Sequence, residues 1–204
     1  MTNPAMAVES RQPATGGSGA QPGSKVASPL ARPLPHVRVG TISGLVELMV
    51  DMGEGQEVFR LAERLALPVD DFLSILEAAN LLGFAEVREG RVNITPIGRD
   101  FATTSILRSK DLFRQQVFDR VPIVATIAKT LAEKRNKMMR ADFFVDLLDE
   151  YYPAAEAQRQ FETAVDWGRY AELFEYDAIE GRLSLENNVA GAEHAPAAVD
   201  PAVL

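Results

Sequence analysis

The sequence predicts a mainly α-helical fold with small β-hairpins, and three observations predict it. Apolar residues recur at helical spacing through most of residues 37–187, short alternating stretches fold back across glycine-bearing turns, and helix start and stop signals stand at the joints. All three meet in residues 67–98, LPVDDFLSILEAANLLGFAEVREGRVNITPIG. Asp70 and Asp71 put negative charge at a helix N-terminus, where the macrodipole favours it. Phe72, Ile75, Leu76, Ala79 and Leu82 form one apolar stripe. Gly83 suits the position after a helix, where φ turns positive. Phe84-Ala85-Glu86-Val87 alternates as a half-buried strand, Arg88-Glu89-Gly90 makes a turn, and Val92 and Ile94 return. Thr95-Pro96 is a cap followed by proline at the first helical position. Helix, hairpin and helix in this compass are the signature of a winged helix.

The remaining elements follow in order. Residues 1–36 are rich in Pro, Gly, Ser and Ala and poor in large apolar side chains, so they are expected to form a disordered arm. Within them GGSGAQPGSK lacks the spacing of a phosphate-binding loop, and no hydrophobic strand precedes it. Residues 37–105 make the first winged-helix module. Leu45, Leu48, Met49 and Met52 form a helical stripe ended by Gly53 and Gly55, and Val58, Leu61, Ala62 and Leu65 form a second, stopped by Pro68. Residues 106–140 read as two consecutive helices, or one kinked at Pro122, able to bridge two modules. Residues 141–187 repeat the outline. Phe143, Phe144, Leu147 and Leu148 form a short helix, Ala157, Phe161, Ala164, Val165 and Gly168 a longer one, and Leu173–Tyr176 with Arg182–Leu185 a hairpin. Residues 188–204 are expected to be a disordered tail. The full expectation is of tandem winged-helix-like modules joined by a long helical segment.

Composition narrows the chemistry. The chain has no cysteine, which removes disulfides and thiolate sites, and its two histidines, His36 and His194, fall in the expected disordered flanks. No phosphate loop or dinucleotide fingerprint occurs, no apolar run is long enough to cross a membrane, and the N-terminus lacks a signal peptide's apolar core. Asp142, Asp146, Asp149 and Glu150 share one side of a helix, which a solvated face explains without a metal. The expectation is a cytoplasmic protein that is not an enzyme, with no cofactor and no metal.

A winged helix invites a test for DNA binding. The helix from Asp70 to Leu82 contains no Arg or Lys, and two aspartates and Glu77 beside phosphates would cost affinity. The later helix carries Gln158, Arg159 and Gln160, which could read bases, among Glu156, Glu162 and Asp166. Charge is unevenly spread over a net of −8: residues 38–107 carry −5, residues 108–140 carry +6, and residues 141–187 carry −9. The basic middle either neutralises the acidic modules on each side, or docks on an acidic partner or touches anionic lipid. Lys129, Lys134, Arg135, Lys137 and Arg140 are the candidate docking residues. The alternatives are a transcriptional regulator binding DNA through its second module, and a homodimer whose basic middle helices pair.

With these residues in view, ITPIGRDFATTSILRSKDLFRQQ and VDWGRYAELFEYDAIEGRLSLE resemble the AAA-associated C-terminal domain. That domain closes the ATP-binding subunits of nitrate/sulfonate/taurine-type ABC transporters. The resemblance runs from about Val39 to Glu186 and rests on LLGFAEV, the TPxGRxFA-like run at Thr95 to Ala102, and WGRYAELFEYD. It implies an accessory or regulatory module of an ABC importer ATPase or permease, here expected to be free-standing, with no ATPase activity and no catalytic residues to carry over. Trp167 and Tyr170 are core aromatics or contacts on this reading.

Overall fold

A computed structural model describes residues 28–185, so the expectations for residues 1–27 and 186–204 lie outside the described residues. The architecture is mainly helical with two small antiparallel sheets. In chain order the elements are α1 (Val39–Met52), β1 (Gln56–Glu57), α2 (Val58–Leu65), α3 (Val69–Leu81), β2 (Ala85–Arg88), β3 (Arg91–Ile94), α4 (Pro96–Thr103), α5 (Ile106–Arg120), α6 (Pro122–Glu133), β4 (Met138–Arg140), α7 (Ala141–Asp149), α8 (Ala154–Tyr170), β5 (Glu175–Asp177) and β6 (Arg182–Ser184).

The local signals act as their chemistry requires. Thr95 caps α4 by accepting from the Gly98 amide at 3.0 Å, and Pro96 follows at the first helical position. Gly83 takes φ 73° after α3, and Glu89 and Gly90 turn the first hairpin with φ 50° and 74°. Val121 leaves the helical region ahead of Pro122, so α5 and α6 are separate helices.

One order of elements, strand, helix, helix, hairpin, occurs twice: β1-α2-α3-β2-β3 and β4-α7-α8-β5-β6. Strand order is the same in both sheets, β1-β3-β2 and β4-β6-β5, with the first strand paired to the last. Hydrogen bonds keep one register. Val58 N donates to Gly90 O in the first stretch, and Ala141 N donates to Gly181 O in the second. At the exits, Leu82, Gly83 and Phe84 donate to Ala78, Asn80 and Ala79, while Ala171, Glu172 and Leu173 donate to Trp167, Arg169 and Gly168. By that register the buried Phe72, Ile75, Leu76 and Ala79 of α3 stand where Phe161, Ala164, Val165 and Gly168 of α8 stand. Spacing alone shows only the outline of this repetition, because few of the paired residues are identical.

A single hydrophobic cluster joins the two stretches, and α5 carries the link. The Phe113 ring lies 6.4 Å from Phe84 and 6.3 Å from Phe101 on one side, and 6.3 Å from Trp167 and 4.9 Å from Tyr170 on the other. Such aromatic pairs add to the apolar area they remove from water. The apolar stripes of α5 and α6 are therefore spent inside the chain.

Two sequence expectations change. Residues 28–36 are not a disordered arm: Pro29–Ala31 form one 3-10 turn, Leu34 is buried, and the segment lies across α8. The low apolar content of this segment hid the fact that two leucines, His36 and several backbone groups suffice to fasten it. The basic middle also does not stay helical to residue 140. It leaves the helix at Lys134, and Met138–Arg140 become the edge strand of the second sheet, pairing with β6.

Candidate docking surfaces

The basic residues singled out in the sequence divide into two groups. Lys134, Arg135 and Lys137 share the turn between α6 and β4 and are exposed. That turn is built by the chain itself: Lys137 takes φ 56°, its ammonium donates to Ala132 O, and its carbonyl accepts from Leu185 N at 3.0 Å. Asn136 Oδ1 accepts from Met138 N at 3.2 Å. Lys134 and Arg135 form no ion pair among the described residues. Lys129 and Arg140 are engaged locally. The Lys129 ammonium stands 5.3 Å from the centroid of the Phe118 ring, and Arg140 pairs with Asp142 at 2.6 Å. A groove of about 300 Å³ beside the turn is lined by Asn136, Met138, Met139, Arg140 and Arg182. The arrangement suits an anionic surface of another macromolecule, through charge and methionine contact.

The second candidate surface was α8, and it is largely occupied. Gln160 is buried, accepts from Leu34 N at 2.6 Å and donates to Leu34 O at 3.1 Å, so one side-chain amide satisfies both backbone groups of that residue. Tyr152 OH donates to Leu30 O at 2.8 Å, and Trp167 Nε1 donates to Val37 O at 2.8 Å. His36, in the same strap, places Nδ1 2.8 Å from Thr163 Oγ1 and Nε2 2.9 Å from Glu156 Oε1. The Glu156 carboxyl is held below the usual carboxylate range, first by the hydrogen bond from Gln160 and then by His36. Gln158 donates to Glu162 at 2.9 Å, and Arg159 lies 3.7 Å from Glu156. Trp167 is fully buried, and Tyr170 packs on Phe113.

A third cluster was missed in the sequence. Glu172 holds φ 52° at the exit of α8, the position that Gly83 fills after α3. Lys110 of α5 pairs with its carboxylate at 2.8 Å and Arg114 at 2.7 Å, while Arg114 Nε donates to Ala171 O at 2.6 Å. The hydrogen bond from Lys110 is the main cause of a Glu172 pKa below the ordinary value. At the other exit the Arg120 side chain of α5 lies over Gly83, where a Cβ would stand 2.7 Å from its Cζ. Cations of one helix thus sit at the C-terminal ends of two others, where backbone carbonyls favour positive charge. Only alignment of YAELFEY with LLGFAEV could have pointed to Glu172.

Among the described residues no group of three or more His, Asp or Glu is placed to hold a metal ion, and no helix is long and apolar enough to cross a membrane. The exposed acids of α7 face solvent, with Asp142 given to Arg140. Fold and surfaces together define a mainly helical domain with two small antiparallel sheets and strongly charged faces. Residues 59–177, more than half of the chain, match the family described as the C-terminal AAA-associated domain, and the chain belongs to that family. The match runs from Phe59 in α2 to Asp177 at the end of β5, taking in most of both repeated stretches. No curated protein and no solved structure matches the chain. Membership in this family goes with an accessory role beside ATPase-type proteins.

Proposed function

We propose that the chain is a non-catalytic accessory module that acts by protein–protein contact on an ABC-type importer ATPase or its permease. On this reading each strand-helix-helix-hairpin stretch is a winged helix, α1 and α6 being the leading helices, and the two form a tandem around α5. The observation that carries the reading is the state of the two helices a winged helix would present to DNA. The outward side of α3 bears Asp70, Leu73, Glu77 and Asn80 and no cation. On α8, the base-reading candidate Gln160 is consumed by the strap, and Gln158 and Arg159 are engaged with glutamates. Helix α3 offers no cation, and the two arginines of α8, Arg159 and Arg169, each stand beside a glutamate, so protein surfaces are the better partners. The family supports an ATPase as the neighbour. The transporter class, nitrate, sulfonate or taurine import, comes from the sequence resemblance.

The basic turn is the proposed contact. Charge complementarity raises association rate and selectivity and is screened by salt. Reversing Lys134 and Arg135 to glutamate is expected to abolish co-purification with the transporter ATPase and leave the melting temperature nearly unchanged, since both side chains are exposed, while Lys137 is kept because its ammonium holds Ala132 O. A variant that melts like the parent and still co-purifies would refute the basic turn as the contact.

A further inference from the structure

The first repeated stretch carries exposed apolar side chains at positions that are polar in the second, where the half-exposed Phe143 stands one residue further along α7. Phe59 on α2 is 62% exposed, and Val69 and Leu73 on α3 are 63% and 46% exposed. Val69 and Leu73 are one helical turn apart and so lie side by side on α3. Phe59 and Val69, with Ala62, Leu67 and Phe72, line a groove of about 360 Å³ between the two helices. The fold does not require this. In the shared register Phe59 stands where Asp142 stands on α7, and Val69 and Leu73 stand where Gln158 and Glu162 stand on α8. The same architecture is built again from Met138 to Ser184 with polar residues at these positions, and an exposed apolar groove of this kind is a contact site.

The rim says what the groove takes. Glu63 borders it, Asp70 and Asp71 open α3, and Glu77 lies one turn beyond Leu73. All four are exposed, and none forms an ion pair among the described residues. We propose that the α2–α3 groove is a docking site for a cationic amphipathic helix of a partner protein, one that inserts apolar side chains over Phe59, Val69 and Leu73 and sets Lys or Arg against the acidic rim. A groove between two helices with apolar residues one turn apart accepts a helix by its apolar face. Over α3 the rim is acidic throughout, while Arg60 and Arg64 lie beyond Phe59 in a separate pocket with Met52, Arg60 against Glu57, so the α3 side favours a cationic partner over an anionic one. This surface is opposite in sign to the basic turn, and it explains positively the acidic α3 that does not suit DNA.

The test uses the full chain and a labelled amphipathic peptide of Leu and Lys, about four helical turns long. Fluorescence anisotropy is expected to show saturable micromolar binding, and the same peptide with Glu in place of Lys is expected not to bind. Phe59→Ser and Leu73→Ser should each weaken binding at least about tenfold with unchanged melting, because both side chains are exposed in the free protein. Asp71→Lys with Glu77→Lys should weaken it similarly, whereas Asp142→Lys with Asp146→Lys, on the second acidic face, should not. Binding that survives Phe59→Ser and Leu73→Ser, or no binding at all, would overturn the proposal. So would a concentration-dependent dimer that Leu73→Ser dissolves, since the occupant would then be a second copy. The assay does not involve residues 134–137, so its failure and that of the basic turn are separately visible.

Discussion

Helices α3 and α8 occupy the same place in two copies of one element order, yet the chain treats them differently. The outer side of α3 is bare, with Val69, Asp70, Leu73 and Glu77 exposed. Its exit is relaxed: Gly83 supplies the positive φ without steric cost. Helix α8 is crossed by residues 28–37, and its exit puts Glu172 in the left-handed region. A Cβ in that region costs about 1–2 kcal/mol, and the exposed pairs with Lys110 and Arg114 of α5 offset only part of it. The lesson is that one backbone geometry can be specified in two ways, by a residue that tolerates it or by neighbours that impose it.

The sharpest break in the comparison is at Ala79 and Gly168. A Cβ on Gly168 would stand 2.1 Å from Cζ of the buried Phe174. Gly168→Ala is expected to destabilise by on the order of 3 kcal/mol, seen as a fall in urea midpoint, because ring and helix must move apart. Ala79→Gly at the matching position should cost only about 1 kcal/mol, chiefly helix propensity.

The strap comes next. Gln160→Leu leaves the amide and carbonyl of buried Leu34 without their partners and should cost about 2–4 kcal/mol by urea titration. Residues 28–36 are therefore needed for full stability, contrary to what their composition suggests. Asp71, the α3 counterpart of Gln160, is exposed, and Asp71→Ala should cost under about 1 kcal/mol, the loss of a favourable charge at a helix start.

The exits themselves give a smaller effect. Gly83→Ala at φ 73° should cost about 1–2 kcal/mol and displace the Arg120 side chain. Glu172→Gly loses ion pairs that are exposed, and gains the freedom of glycine, so its net effect should stay within about 1 kcal/mol. A Glu172→Gly variant that unfolds at room temperature would show that α5 depends on that carboxylate far more than the geometry implies.

The smallest effect is on acid stability. Glu172 and Glu156 both have pKa values lowered in the folded state by hydrogen-bonding partners. A lowered folded pKa contributes stability that is present above the unfolded value and lost as pH falls through the folded one. The urea midpoint should therefore decline below about pH 4.5, near the unfolded carboxylate value. Glu172→Gln should start lower at neutral pH and decline less steeply, which a pH series of unfolding curves would reveal.

The local elements can be read in short runs of residues, because the signals that set them are local. Thr95-Pro96, Gly83 and the break before Pro122 act within a turn or two of chain, and each is read from neighbouring residues. Apolar spacing likewise marked Phe72, Ile75, Phe161 and Val165 as core. The family resemblance was legible for the same reason, in runs such as LLGFAEV and WGRYAELFEYD. Tertiary structure alone decided what depends on partners far along the chain. Gln160 looked free to read bases until Leu34, distant in sequence, took both ends of its amide. Residues 28–36 looked disordered because hydrogen bonds made by backbone groups leave no hydrophobic pattern. Lys134, Arg135 and Lys137 are legible as charge, while the engagement of Arg140 by Asp142 and of Lys129 by Phe118 depends on how the elements fold against one another. The groove under Phe59 and Val69 was invisible for a related reason: periodicity shows which side chains are apolar, but only packing determines which of them are left uncovered.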